Sequence, residues 1–102
     1  MQRDKRKTEN SLQRKGFQKN ERHHHFFVYH TQEGQKTQIM TKTSHTEKNK
    51  TIGESLLRQM ARQCKLTISE FLDFTDCPMD RNTYESILKE KNLLWTLMVL
   101  EF

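Results

Sequence analysis

Three consecutive histidines, His23, His24 and His25, stand between Arg22 and an aromatic run, Phe26-Phe27-Val28-Tyr29. An imidazole exchanges its proton near neutral pH, so a histidine held at the mouth of a strand can take a proton from a hydroxyl. A metal site is the other chemistry that histidines invite. Adjacent strand residues point to opposite faces, which leaves only His23 and His25 able to share an ion. No cysteine or carboxylate lies at a ligand spacing beside them, and neither a metal nor another cofactor is expected. The plain alternative is a polar strand end in water. His45, in Thr43-Ser44-His45, is a further contributor to consider, against its reading as a loop histidine. Cys64 falls on an apolar helical stripe and Cys77 precedes Pro78, so burial and linker duty account for both without nucleophilic chemistry. The chain has no glycine-rich phosphate loop and no paired-carboxylate pattern.

The elements that would position these residues follow from patterning. Residues 3–15 are good helix formers and end at Gly16, which suits the position just past a helix C-terminus. Phe17 then leads into a short strand. His24 to Thr31 is the strongest strand signal; alternation puts His24, Phe26, Val28 and His30 on one face and His25, Phe27 and Tyr29 on the other. With one face under helices, the other keeps aromatic surface that points to a ligand or partner. Gln32 to Gln35 forms a turn with Gly34 at positive φ, Lys36 to Lys42 returns as a strand, and Thr43 to Lys50 is a polar loop. Ile52, Leu56, Leu57, Met60, Ala61 and Cys64 recur at helical spacing, and Thr51 with Glu54 fits a capping box. Thr67 with Glu70 repeats the box before a second apolar stripe, and Asp80 caps a third helix carrying Tyr84, Ile87 and Leu88. The expected fold is α+β, a three-stranded antiparallel sheet with helices packed on one face, in the order α-β-β-β-α with additional C-terminal helices.

At 102 residues the chain supports one small core. A mean hydropathy of -1.00 raises disorder as a possibility, but apolar residues are gathered into patterned segments. The charge is uneven. Residues 1–50 hold 12 of the 18 Lys and Arg and 5 of the 13 Asp and Glu, a balance of +7, whereas residues 51–102 carry -2. Such a basic half attracts polyanions. Two unpaired-looking cysteines and a start, MQRDKRK, that leads into no apolar run point to a reduced, cytoplasmic protein without a signal peptide. The longest apolar run, Leu93 to Leu100, is far short of the roughly 20 residues a membrane helix needs.

Leu12, Gly16-Phe17, His24-His25-Phe26-Phe27, the Gly34 turn, the helix from Ile52 to Leu66 and Thr67-Ile68-Ser69-Glu70-Phe71-Leu72 together resemble the HicA toxins, small mRNA interferases of toxin-antitoxin systems. The resemblance covers about residues 11–90. It implies a double-stranded-RNA-binding-domain-like fold in a single domain over 11–92. Residues 1–10 are expected to be a basic, frayed segment, and 93–102, beyond the resemblance, an apolar extension. The resemblance further implies endonuclease activity on mRNA and neutralisation by a HicB antitoxin. The matching proton-transfer residue is His24, with His23 second because Arg22 and His23 precede it where the family has Gly, Ser or Asp. Lys15, Lys19, Arg22 and Lys36 are the expected RNA-binding cations, and Phe26 or Phe27 could stack on a base if not spent in the core. Two other readings remain: an RNA-binding module of the same fold that does not cut, and a protein-interaction domain without RNA.

Overall fold

The computed structural model describes residues 1–20, 25–43, 50–76 and 78–94. The chain opens with a short strand β1 (Gln2–Asp4), antiparallel to β5 (Thr51–Gly53), with Arg3 opposite Ile52. Asp4 ends the strand and caps α1 (Lys5–Arg14) by accepting from the Lys7 backbone N–H at 2.9 Å. The segment expected to fray at 1–10 is therefore strand and helix: pairing with β5 and the Asp4 cap satisfy its backbone, neither of which has a local apolar signature. At the other end of α1, Gly16 adopts φ 106° and turns the chain into β2 (Phe17–Lys19).

β2, β3 (Phe26–His30) and β4 (Lys36–Lys42) form an antiparallel sheet with β3 in the centre. Tyr29 lies opposite Phe17, Val28 opposite Gln18 and Met40, and Phe26 opposite Lys42. Phe27 and Tyr29 face the core with no exposure, as alternation requires for one face of the strand. The hairpin turns through Gly34 at φ 87°. Between Val28 and His30 the register shifts, and Thr37 fills the irregularity by donating to the Tyr29 carbonyl at 2.8 Å and accepting from Ile39 N at 3.1 Å.

Three further helices, α2 (Glu54–Gln63), α3 (Ile68–Thr75) and α4 (Arg81–Glu90), complete the described chain. The fold is α+β, with a three-stranded antiparallel sheet and four helices among the described residues. The expected capping box at α3 is present, Thr67 accepting from Glu70 N and Glu70 from Thr67 N; Asp80 caps α4 through Thr83 N. The box expected at Thr51 and Glu54 is not formed. Thr51 is paired with Asp4 in the β1–β5 ribbon, so Gly53 becomes the N-cap, with no side-chain bond.

The core is centred on Phe17, Tyr29, Phe74 and Tyr84, which form five ring pairs with centroids 4.6–6.0 Å apart. Leu12, Phe27, Ile52, Leu57, Met60, Phe71 and Leu88 surround them, all but inaccessible to water. Leu94 is buried with them, and Leu93 packs against the cluster. No described helix is long and apolar enough to cross a membrane.

Candidate functional site

The mouth of β3 is where a titratable side chain, a carboxylate and a hydroxyl meet. His25 immediately precedes the strand, and its carbonyl accepts from Thr43 N at 2.9 Å, which extends the β3–β4 ladder by one pair. On the other side Asn20 N donates to the Phe26 carbonyl at 2.8 Å, so both neighbouring strands hold this end of β3. α1 crosses beneath and supplies Glu9. His25 Nδ1 lies 3.3 Å from Glu9 Oε2 and 3.2 Å from Thr43 Oγ1, and Thr43 Oγ1 donates to the same Glu9 oxygen at 2.5 Å. The His25 and Glu9 side chains are 19% and 14% exposed, sheltered enough that water competes weakly for these bonds.

Sequence reasoning did not find this trio. Glu9 is 16 positions from His25 and carries no local signal, because helix packing alone brings it there. Thr43 did have one. The buried face of β4, Ile39 and Thr41, continues by period two to Thr43, which is 2% exposed, one residue past the expected strand end at Lys42.

His23, His24, Arg22 and His45 lie outside the described residues. Of the expected RNA-binding cations, Lys19 is exposed at the end of β2 opposite Phe27, at the same end of the sheet as His25. Lys36 is exposed at the opposite end, paired with His30. Lys42, not singled out by sequence, pairs with Phe26 beside the site and is exposed. Lys15 is held away from this cluster: its ammonium donates to the Phe74 carbonyl at 2.5 Å and the Met79 carbonyl at 2.7 Å, beside the Phe74 ring. There it satisfies carbonyls at the end of α3 and in the turn that follows. Phe27 is core, and Phe26 is half-buried on the outer face.

Elsewhere the titratable groups are structural. Burial pushes the Cys64 thiol far above its ordinary value, which removes it as a nucleophile; Cys77 is not among the described residues. Tyr29 and Tyr84 are raised by burial as well and donate to Glu85 Oε2 and to the Cys64 carbonyl. Among the described residues no group of three His, Cys, Asp or Glu side chains is placed to hold a metal ion. Compared with known proteins, the chain matches no family model, no curated protein and no solved structure.

Proposed function

We propose that this chain is a HicA-like toxin, a metal-independent endoribonuclease that cleaves mRNA and is neutralised by a HicB-like antitoxin. On this reading α1, β2, β3, β4 and α2 correspond in order to a double-stranded-RNA-binding-domain-like fold. The observation that carries the reading is a strand-mouth imidazole, His25, fixed by hydrogen bonds in a basic half of the chain, at the end of the sheet where Lys19 and Lys42 are exposed.

The chemistry asks for little more. A histidine of the His23–His25 cluster takes the proton of a ribose 2'-hydroxyl, the O2'–P bond forms as the P–O5' bond breaks, and the departing O5' takes up a proton. The products are a 2',3'-cyclic phosphate and a 5'-hydroxyl. Nearby lysines offset the charge that grows on the phosphate oxygens. By the resemblance the histidine is His24, with His23 as its rival.

The test is cleavage of single-stranded RNA by the purified chain in the presence of EDTA, with growth arrest on expression as its cellular counterpart. Cleavage that survives chelation and is lost in His24→Ala with RNA affinity retained supports the proposal. RNA binding without cleavage by the wild type would leave the non-cutting module, and absence of RNA binding even at low salt would leave a protein-interaction domain.

A further inference from the structure

Resting on the RNA partner of that reading, we infer that the groove between α1 and the end of α3 is a second RNA-binding surface, which takes the phosphodiester backbone of a single strand. The groove has a volume of about 780 Å³ and is lined by Lys7, Asn10, Gln13 and Arg14 from α1, facing Thr75 and Asp76. Helical spacing accounts for the lining. Positions 7, 10 and 14 follow the i, i+3, i+7 pattern of one helix face, while Thr8 and Leu12 turn inward and are buried. Lys7 and Arg14 are thereby set about 10.5 Å apart along the axis, with the amides of Asn10 and Gln13 between them. The carboxylate in the lining is neutralised: Arg3 Nε lies 3.1 Å from both Asp76 oxygens, and a second Arg3 nitrogen lies 3.0 Å from Oδ2. The negative end of the α3 dipole is offset in the same way, by the Lys15 ammonium on the Phe74 carbonyl.

Lys7 carries the inference. Its ammonium is exposed and, among the described residues, makes neither a hydrogen bond nor an ion pair, whereas Arg14 donates to the Ser11 hydroxyl at 3.2 Å. A small anion would call for charges converging on one point. Cations spread along a helix, with amide donors between them, instead match a chain of regularly spaced phosphates. α1 borders both surfaces, because Glu9, next to Asn10, reaches His25 at the β3 mouth. A strand anchored in the groove is then one helix diameter, roughly 10–12 Å, from that mouth. The groove contributes to substrate capture and leaves bond cleavage to the mouth.

The experiment measures the affinity of the full chain for a labelled oligoribonucleotide at several salt concentrations, together with cleavage kinetics. The proteins are wild type, Lys7→Gln, Asn10→Lys and Lys89→Gln, all changed at exposed helix positions. Lys7→Gln is expected to flatten the slope of log affinity against log salt by about 0.7, the contribution of one phosphate on a single strand. Asn10→Lys should steepen it by about the same amount. Lys89→Gln, which removes an equal charge from α4, should leave it in place. In cleavage, Lys7→Gln raises KM at constant kcat. A slope unchanged in either groove variant, or flattened equally by Lys89→Gln, overturns the groove and leaves the ribonuclease reading standing. A labelled oligoglutamate that binds as tightly as RNA, and loses as much on Lys7→Gln, also overturns it, in favour of an acidic protein. The expected slopes without cleavage sustain the groove and remove the nuclease; a folded wild type that binds no RNA at low salt overturns both.

Discussion

Glu85 is a carboxylate 7% exposed in the middle of a helix, and every polar contact around it serves to fasten α4 to the β3 turn. Its Oε2 accepts from the Tyr29 hydroxyl at 2.6 Å and the Gln32 backbone N–H at 2.8 Å. Arg81, one turn earlier, donates to the His30 and Thr31 carbonyls at 2.7 and 3.0 Å. Glu85→Ala leaves two donors facing a cavity, and an unfolding free energy lower by about 2 kcal/mol is expected in urea titration. Glu85→Gln, which retains an acceptor oxygen, should lose less. Gly16 meets the same cluster from the other side. A Cβ there would lie 2.7 Å from Arg81 Nε and from the Tyr29 ring, on a backbone at φ 106°. Gly16→Ala should therefore cost about 2 kcal/mol or more in the same titration, beyond what loss of a helix cap alone would give. The sequence marks Gly16 as a helix terminus but not as the floor of the Arg81 site, because that contact joins residues 65 positions apart.

Helix boundaries separate the legible from the illegible elements by how local their causes are. The Thr67–Glu70 box and the Asp80 cap involve side chains within three residues of the backbone they satisfy, and both are present as their spacing indicates. The same pattern at Thr51 and Glu54 fails because a distant strand, β1, claims Thr51 first. Propensity and caps cannot report that competition. The β3–β4 hairpin was readable for the same reason as the α3 box: alternation and Gly34 are local. Its outer partner β2 needed only Phe17. The α3 box also has a pH signature. The Thr67 backbone N–H donating to its carboxylate holds Glu70 below the ordinary carboxylate value; burial opposes this, and Lys91, 3.7 Å away, adds to the lowering. A carboxyl whose folded value is depressed contributes stability that is complete above the unfolded value, roughly 4.3. That contribution decays as the pH falls through the folded value. Thr67→Ala should cost about 1 kcal/mol at pH 7. Because the backbone N–H at position 67 survives that change, its difference from wild type in urea midpoint should vary little with pH, whereas the difference for Glu70→Gln should shrink as the buffer is taken to strongly acidic pH; a Glu70→Gln difference that does not change with pH would separate the box from Glu70 ionisation.

Across the whole molecule, the sheet has two unlike faces, and this asymmetry gives the RNA reading a quantitative test. Phe27, Tyr29, Phe17 and Ile39 point into the helices. The outer face is formed by the partners Gln18, Val28 and Met40, by Phe26 with Lys42, and by His30 with Lys36. Met40 is 42% exposed, and Lys36 and Lys42 stand at opposite ends of β4. They are six residues apart in sequence, and the bulge shortens their separation below the roughly 20 Å of a fully extended strand. An RNA strand that reaches the His25 end should meet Lys42 first, and one that runs the length of the sheet should also meet Lys36. Each phosphate neutralised on a single strand contributes about 0.7 to the slope of log affinity against log salt. If both lysines lie under the strand, Lys42→Gln and Lys36→Gln should each flatten the slope by about that amount, and the double variant by about twice that. Lys15→Gln, whose parent ammonium sits on the Phe74 and Met79 carbonyls, should instead lower thermal stability while leaving the slope in place. Fluorescence-anisotropy titrations of a labelled oligoribonucleotide at several salt concentrations read these slopes directly. A slope changed by Lys42→Gln but not Lys36→Gln would confine the RNA to the β3 mouth; slopes unchanged in both would place the polyanion on another surface and remove the sheet from the site.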